Sequence, residues 1–393
     1  MKQVVESQIE QPLADLQAVA AAFALPADVT SITPLGNGNV NDTYLVQAGR
    51  QHYVLQRLNT EVFRQPELVM ANLQVLGRHV QGRLLADQDA AAEGLLAGRR
   101  WELPRLICTR DGAKAWHCCS SGGFWRTTTF VADARSVDVI EDRQQAHELG
   151  WGLGLFHQLI SDLPVEQLAD TLEGFHITPR YLEAYHRALV NTSMPSTPLA
   201  QECLAFIRDR EAIASLLEDA KARGELPLRP IHGDPKINNM LLDSGNGAAI
   251  ALIDLDTVKP GLVHYDIGDC LRSCCNRLGE ETTAFDAVHF DLDLAAAILE
   301  GYLGVASGFL LPAERRYIPD AAKLISFELG LRFFADYLAG SIYFKASHPE
   351  HNLHRAVVQF RLTASIEAQE AELRALVQQL GGDADAAPAL LAA

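Results

Sequence analysis

The stretch PIHGDPKINNMLL, residues 230–242, sets a histidine, an aspartate, a lysine and two asparagines inside an apolar frame. An ordinary buried strand carries no such groups, because each one must find a partner or cost free energy. His232, Asp234 and Asn239 stand at the spacing H-x-D-x-x-x-x-N, and Lys236 follows the aspartate by two residues.

Protein-kinase-like phosphoryl transfer uses a loop of that spacing, in which the aspartate accepts the proton of the attacking hydroxyl and the asparagine helps hold Mg2+. Lys236 adds a point charge for a transferring phosphate. Such chemistry needs a second acidic group outside the loop, and IALIDLD (250–256) supplies Asp254 at the end of an apolar strand, where the D-F-G aspartate belongs. Asp256 shares its alternation parity. Upstream, GNGNVNDTY (36–44) is the candidate phosphate cover, with Gly36, Asn37, Gly38 and Asn39 allowing close backbone approach. It is neither a Walker A loop nor a dinucleotide fingerprint. The strand expected to carry a phosphate-binding lysine reads YVLQR (53–57). One register places Gln56 at that position and the next places Arg57 there, with Glu67 as the partner carboxylate.

Around these motifs the chain changes character once. Residues 12–25 read as a helix, residues 30–58 as strands with a hairpin, and PELVMANLQVLGRHVQGRLL as a helix opened by Pro66. Two more strands lie near RLICTR and FWRTTTFVA, and from about residue 140 helical periodicity dominates. The fold class expected is α+β, a protein-kinase-like two-lobed fold. Residues 1–131 form an N-terminal lobe with an antiparallel sheet, 132–380 a mainly helical C-terminal lobe, and 381–393 a frayed tail.

With 393 residues, 48% of them hydrophobic and 21% charged, the chain has the composition of a globular protein. Its net charge of −17 argues against broad binding to nucleic acid or an anionic membrane. No signal peptide or spanning segment is legible, which points to the cytoplasm. Seven cysteines without a secretory signal read as reduced thiols. Cys270, Cys274 and Cys275 lack a second ligand pair at zinc spacing, so burial is their expected role.

Six segments extend the picture: GNGNVNDTYLV, YVLQRLNTEVF, HGDPKINNMLLD, LIDLDTVKPGLVHYDIGDCLR, LRFFADYLAGSIYFK and HNLHRAVVQF. In this order they resemble the aminoglycoside phosphotransferase and choline kinase superfamily, and within it the N-acetylhexosamine 1-kinase family. The resemblance implies ATP- and Mg2+-dependent phosphorylation of the anomeric hydroxyl of N-acetylglucosamine or N-acetylgalactosamine. It makes Asp234 the base, gives Mg2+ to Asn239 and Asp254, and assigns the sugar to Asp256, Thr257, Arg332 and Tyr343.

The chain departs from that family at Gly233, where asparagine is common, and at Pro235, where threonine is common. Both bear on the acceptor more than on the reaction. Two other readings stand beside the sugar kinase: a kinase of the superfamily acting on an aminoglycoside, choline, ethanolamine or homoserine, and a non-catalytic nucleotide-binding relative. Structural alternatives exist for individual residues. Arg332 is spaced to pair with Asp336 at i,i+4, Tyr343 and Phe344 suit a core, His232 suits a backbone-bonding role, and His147 and His157 read as packed or surface histidines.

Overall fold

The alternation of residues 42–58 is realised as a hairpin of β2 (Asp42–Ala48) and β3 (Gln51–Leu58), paired antiparallel from Asp42↔Arg57 to Ala48↔Gln51. This computed structural model describes residues 13–36, 40–90, 94–120, 122–192 and 197–381. With β1 (Val29–Pro34), β4 (His117–Cys118) and β5 (Phe124–Thr129), the hairpin forms a sheet of order β1-β2-β3-β5-β4. One face buries Val46, Ala48, Tyr53, Leu55 and Trp125 against Leu16, Val19, Ala20 and Phe23 at and just beyond helix α1 (Leu13–Ala21). Alternation then puts Leu45, Val54, Gln56 and Arg126 on the opposite face.

The chain divides into two compact units, one drawn from Met1–Gly77 and Leu103–Ala132, the other from Arg78–Glu102 and Asp133–Ala393. Residues 78–102 thus group with the second unit, where a linear reading assigns them to the first lobe. The physical reason is side-chain pairing. His79 and Arg83, on α2 (Pro66–Ala90), bond Asp162 at 3.0 and 2.6 Å, and Arg99 pairs with Glu148. Trp101 meets the edge of Trp151, and the Glu102 N–H donates to the Ile250 carbonyl at 2.9 Å.

Helices build most of the second unit: α3 (Arg143–Ile160), α4 (Thr178–Val190), α5 (Pro198–Arg208), α6 (Leu216–Ala222), α7 (Val263–Cys274), α8 (Leu292–Ala306), α9 (Pro312–Arg316), α10 (Ile318–Leu338), α11 (His351–Ala368) and α12 (Glu370–Gly381). Two small sheets interrupt them. One pairs β7 (Arg229–Ile231) with β10 (Lys259–Gly261). The other orders β6 (Ala134–Arg135), β8 (Met240–Asp243) and β9 (Ala249–Leu252) as β6-β8-β9. None of the described helices is long and apolar enough to cross a membrane. All seven cysteines are free, and Cys270, Cys274 and Cys275 are buried.

Helices α3 and α8 meet backbone to backbone. A Cβ added at Gly150 would strike the Ile298 carbonyl, one at Gly301 the His147 carbonyl, and one at Gly154 would lie 2.8 Å from the Tyr302 carbonyl. A methyl group has no room at this crossing, so the helices must separate to admit it. Gly150→Ala is expected to lower the unfolding free energy by about 1–3 kcal/mol, the usual cost of overpacking. Urea denaturation measures it, and an unchanged midpoint would show that the crossing relaxes freely.

Candidate active site

Strand β7 leads into residues 232–239 and β8 leads out of them, so sheet pairing fixes both ends of the loop. The Met240↔Leu252 pair aligns β8 with β9, and the Ile253 N–H donates to the Asn239 carbonyl at 2.9 Å. Asn239 and Asp254 are thereby brought to the same end of the hairpin. Asp254 sits in the left-handed region (φ 62°, ψ 52°), a conformation uncommon for a non-glycine residue that turns the chain sharply after β9.

Inside the loop, the Asn239 Nδ2 donates to the Asp234 carbonyl at 2.7 Å, which leaves its Oδ1 as the acceptor end. Lys236 Nζ lies 2.8 Å from Asp234 Oδ2, and both side chains remain about one-third exposed, at 37% and 31%. Burial opposes the lysine charge, yet Asp234, with Asp254 and Asp269 further off, raises its pKa above the ordinary value. Lys236 is therefore a firmly held cation beside the aspartate.

His232 is fully buried and ties backbone together. Its Nδ1 accepts the Asp234 N–H at 3.2 Å, so Nε2 carries the proton and donates to the Ile253 carbonyl at 2.9 Å. Burial pushes its pKa down, which agrees with a neutral ring holding one proton. The histidine thus bonds the residue before Asp254 to Asp234 itself, in the structural manner its position suggested.

Two buried networks hold the loop from behind. In the first, Asp266 on α7 accepts three donors: the His232 N–H at 2.6 Å, the Gly233 N–H at 2.8 Å and His157 Nε2 at 2.8 Å. His157 Nδ1 in turn meets the Tyr302 hydroxyl at 3.0 Å, which links α3, α7 and α8 to the loop. In the second, His176 Nε2 donates to the Gly233 carbonyl at 2.8 Å, while Nδ1 bonds Glu328 at 3.0 Å and Glu328 accepts the Thr178 hydroxyl at 2.6 Å. Burial works against the His176 charge, but Glu328 holds its pKa above the ordinary value.

Gly233 lies between these anchors at φ 90°, and a Cβ there would come within 2.7 Å of the Thr257 carbonyl. Both conformation and space therefore require glycine. The Thr257 hydroxyl donates to the His232 carbonyl at 2.7 Å, so this candidate sugar contact also braces the loop. Asp256 is buried beside it.

Helix α10 ends at Leu338 and Gly340 (φ 92°) turns the chain, so Tyr343 is not on the helix that carries Arg332. Nor does Asp336 pair with Arg332. Its carboxylate accepts the N–H groups of Ile342, Tyr343 and Phe344 at 3.0, 2.8 and 3.0 Å, and Asn352 Nδ2 at 2.9 Å. That turn carries Tyr343, 67% exposed, and Phe344. The Arg332 guanidinium lies 4.9 Å from the ring centre of Tyr181, 5.4 Å from Phe175 and 5.5 Å from Phe344. Burial opposes its charge, while Tyr181, Glu328, Tyr343 and Asp234 favour it and raise its pKa overall.

In the first unit, Gly36 (φ 71°) follows β1, while Asn37, Gly38 and Asn39 lie outside the described residues. The register of β3 separates the two lysine-position candidates. Arg57 shares the face of Tyr53 and Leu55, which α1 covers, and pairs with Asp42 at 2.9 Å. Gln56 is on the other face, donates to Thr43 Oγ1 at 3.2 Å, and accepts Arg126 Nη2 and Nε at 2.7 and 3.0 Å. Glu67 is exposed in the first turn of α2, and the carboxylate bonded to Arg57 is that of Asp42.

Asp266, His157, His176, Glu328 and Arg126 were not singled out as site residues from the sequence. The one legible signal was the acidic density of HYDIGD (264–269) on a helix that is otherwise buried.

The fold has counterparts among solved structures. A microcompartment-associated aminopropanol kinase superposes with a TM-score of 0.59 at 16% identity, covering 93% of this chain and 100% of that one. A spectinomycin phosphotransferase in complex with ADP and spectinomycin gives 0.54 at 13%, covering 92% and 100%. Choline kinase from Cryptosporidium parvum gives 0.51 at 12%, covering 87% and 90%. At these identities the likeness is one of fold, the kinase-like α+β arrangement expected from the loop spacing. Residues 31–306 match the model of the phosphotransferase enzyme family, a span that holds the sheet, the 232–239 loop and Asp254, and the chain belongs to that family.

Proposed function

We propose that the protein is a sugar 1-kinase that transfers the terminal phosphate of ATP to the anomeric hydroxyl of an N-acetylhexosamine, N-acetylglucosamine or N-acetylgalactosamine. The observation that carries the acceptor reading is Arg332. Its guanidinium is boxed by Phe175, Tyr181 and Phe344, and Tyr181, Glu328, Tyr343 and Asp234 all favour its charge. A cation boxed by aromatic rings repels an ammonium-bearing acceptor and suits the hydroxyl and amide oxygens of a neutral sugar, with aromatic surface for its apolar face.

In this reading Asp234 takes the hydroxyl proton as the new O–P bond forms and the bond from the terminal phosphorus to the bridging oxygen of ATP breaks. Lys236, held against Asp234, meets the transferred phosphate, and the rigid loop keeps the base in line with the attacking oxygen. Asp256, Thr257, Arg332 and Tyr343 grip the sugar.

The residues present suit Mg2+. Asn239 Oδ1 and the Asp254 carboxylate are hard oxygen donors at one end of the β8–β9 hairpin, and a Mg2+ that keeps waters and phosphate oxygens needs few protein ligands. When bound, the ion neutralises the charge developing on the phosphates.

The test is phosphate transfer from Mg-ATP across N-acetylglucosamine, N-acetylgalactosamine, their deacetylated forms and choline. Preference for the acetylated sugars is expected. Preference for choline would overturn the acceptor, and nucleotide binding without transfer to any acceptor would favour a non-catalytic relative.

A further inference from the structure

A phosphotransferase of this architecture needs a cation from the sheet beside the nucleotide phosphates, and a strand lysine ordinarily provides it. Here β3 offers a neutral amide, Gln56, on the face opposite α1. Arg57 is unsuited, because it points to the α1-covered face and its Nε is 2.9 Å from Asp42 Oδ2.

The register of the sheet places another cation beside Gln56. Arg126 is its direct partner on β5, lies on the same face, and is only 4% exposed. Its Nε and Nη2 both donate to Gln56 Oε1, while Gln56 Nε2 donates to Thr43 Oγ1. This polar row crosses β5, β3 and β2 and ends at Thr43, which belongs to the GNGNVNDTY segment (36–44) read as the candidate phosphate cover. Gln56 satisfies two guanidinium donors but brings no charge. An arginine in the interior of a sheet is expensive to desolvate, and a phosphate is a ligand whose charge offsets that cost.

We propose that Arg126, presented from β5, is the cation that holds the nucleotide phosphates in place of a β3 lysine, with Gln56 as the residue that orients it. The inference rests on the chain being a nucleotide-using phosphotransferase and is independent of which acceptor it takes. Nucleotide binding is therefore the readout, so a failed sugar assignment leaves it standing.

The experiment titrates the full chain with Mg-ATP and, separately, with adenosine, by calorimetry. Arg126→Gln is expected to weaken ATP about 10- to 100-fold, the worth of one charged hydrogen-bonding contact, with adenosine changed less than about twofold. The double variant Q56L/R126M removes the pair without stranding either buried polar group, so it serves if R126Q does not fold, and the same losses are expected of it. ATP affinity within about twofold of the unmodified protein in a folded variant would overturn the proposal. An equal loss of adenosine would also overturn it, since that would mark a general collapse of the site. So would a tenfold loss of ATP in Arg57→Gln alongside an unchanged R126Q.

Discussion

Asp234→Asn is expected to lower phosphate transfer by about 10²–10⁴-fold, the usual contribution of a positioned general base, while the melting temperature changes little. Asparagine keeps the shape and the hydrogen bond to Lys236 but cannot take up the hydroxyl proton. Its backbone bonds, from the Asp234 N–H to His232 Nδ1 and from Asn239 Nδ2 to the Asp234 carbonyl, do not involve the side chain, so the loop should stand. Steady-state transfer assays with circular dichroism as the fold control check this. Full activity in a folded D234N would remove the aspartate from the chemistry, and a loss of fold would recast it as structural.

Asp266→Asn should act in the opposite way, through stability first and rate second. Three donors converge on its two oxygens, and an amide offers one oxygen and one NH2, so at least one donor would face another donor. Breaking a fully buried charged network of this kind costs about 3–5 kcal/mol. Burial alone would push the Asp266 pKa up. The bonds from His157 and the His232 N–H outweigh it and hold the value below the ordinary one. A carboxylate with a lowered folded pKa contributes stability above its unfolded value near 3.9, and that contribution is lost as pH falls through the folded value. The acid limb of unfolding should therefore be shallower in D266N than in the unmodified protein. Denaturant midpoints across pH 2 to about 7 measure both effects, and a loss under about 1 kcal/mol at neutral pH would show that the loop does not depend on this anchor.

What the sequence made legible was local. The 232–239 loop and its distance from Asp254 are set by a few residues of spacing and a hairpin, and the alternation of residues 42–58 defines β2 and β3 without knowledge of the rest. What it hid depends on register across long separations. That Gln56 rather than Arg57 faces away from α1 follows from which residues pack on Phe23. That Arg126 stands beside Gln56 follows from strand pairing across 70 residues. His176 is 57 residues from the carbonyl it bonds and has a φ of 63°, a conformation uncommon outside glycine. The parting of Tyr343 from the helix of Arg332 has a local cause that Gly340 marks in the sequence, since the chain turns there and Asp336 gathers the following residues.

The crossing of α3 and α8 has a consequence for how substitution data on this protein would look. Gly150, Gly154 and Gly301 carry no side-chain atoms and take no part in proton or phosphate movement, yet His157 and Tyr302 ride on the two helices they join. Widening the crossing displaces the anchor of the loop, so a library scored by growth or turnover would rank these glycines beside Asp234. A second score for protein abundance would separate the two groups: the glycines should fall in both, and Asp234 in turnover alone.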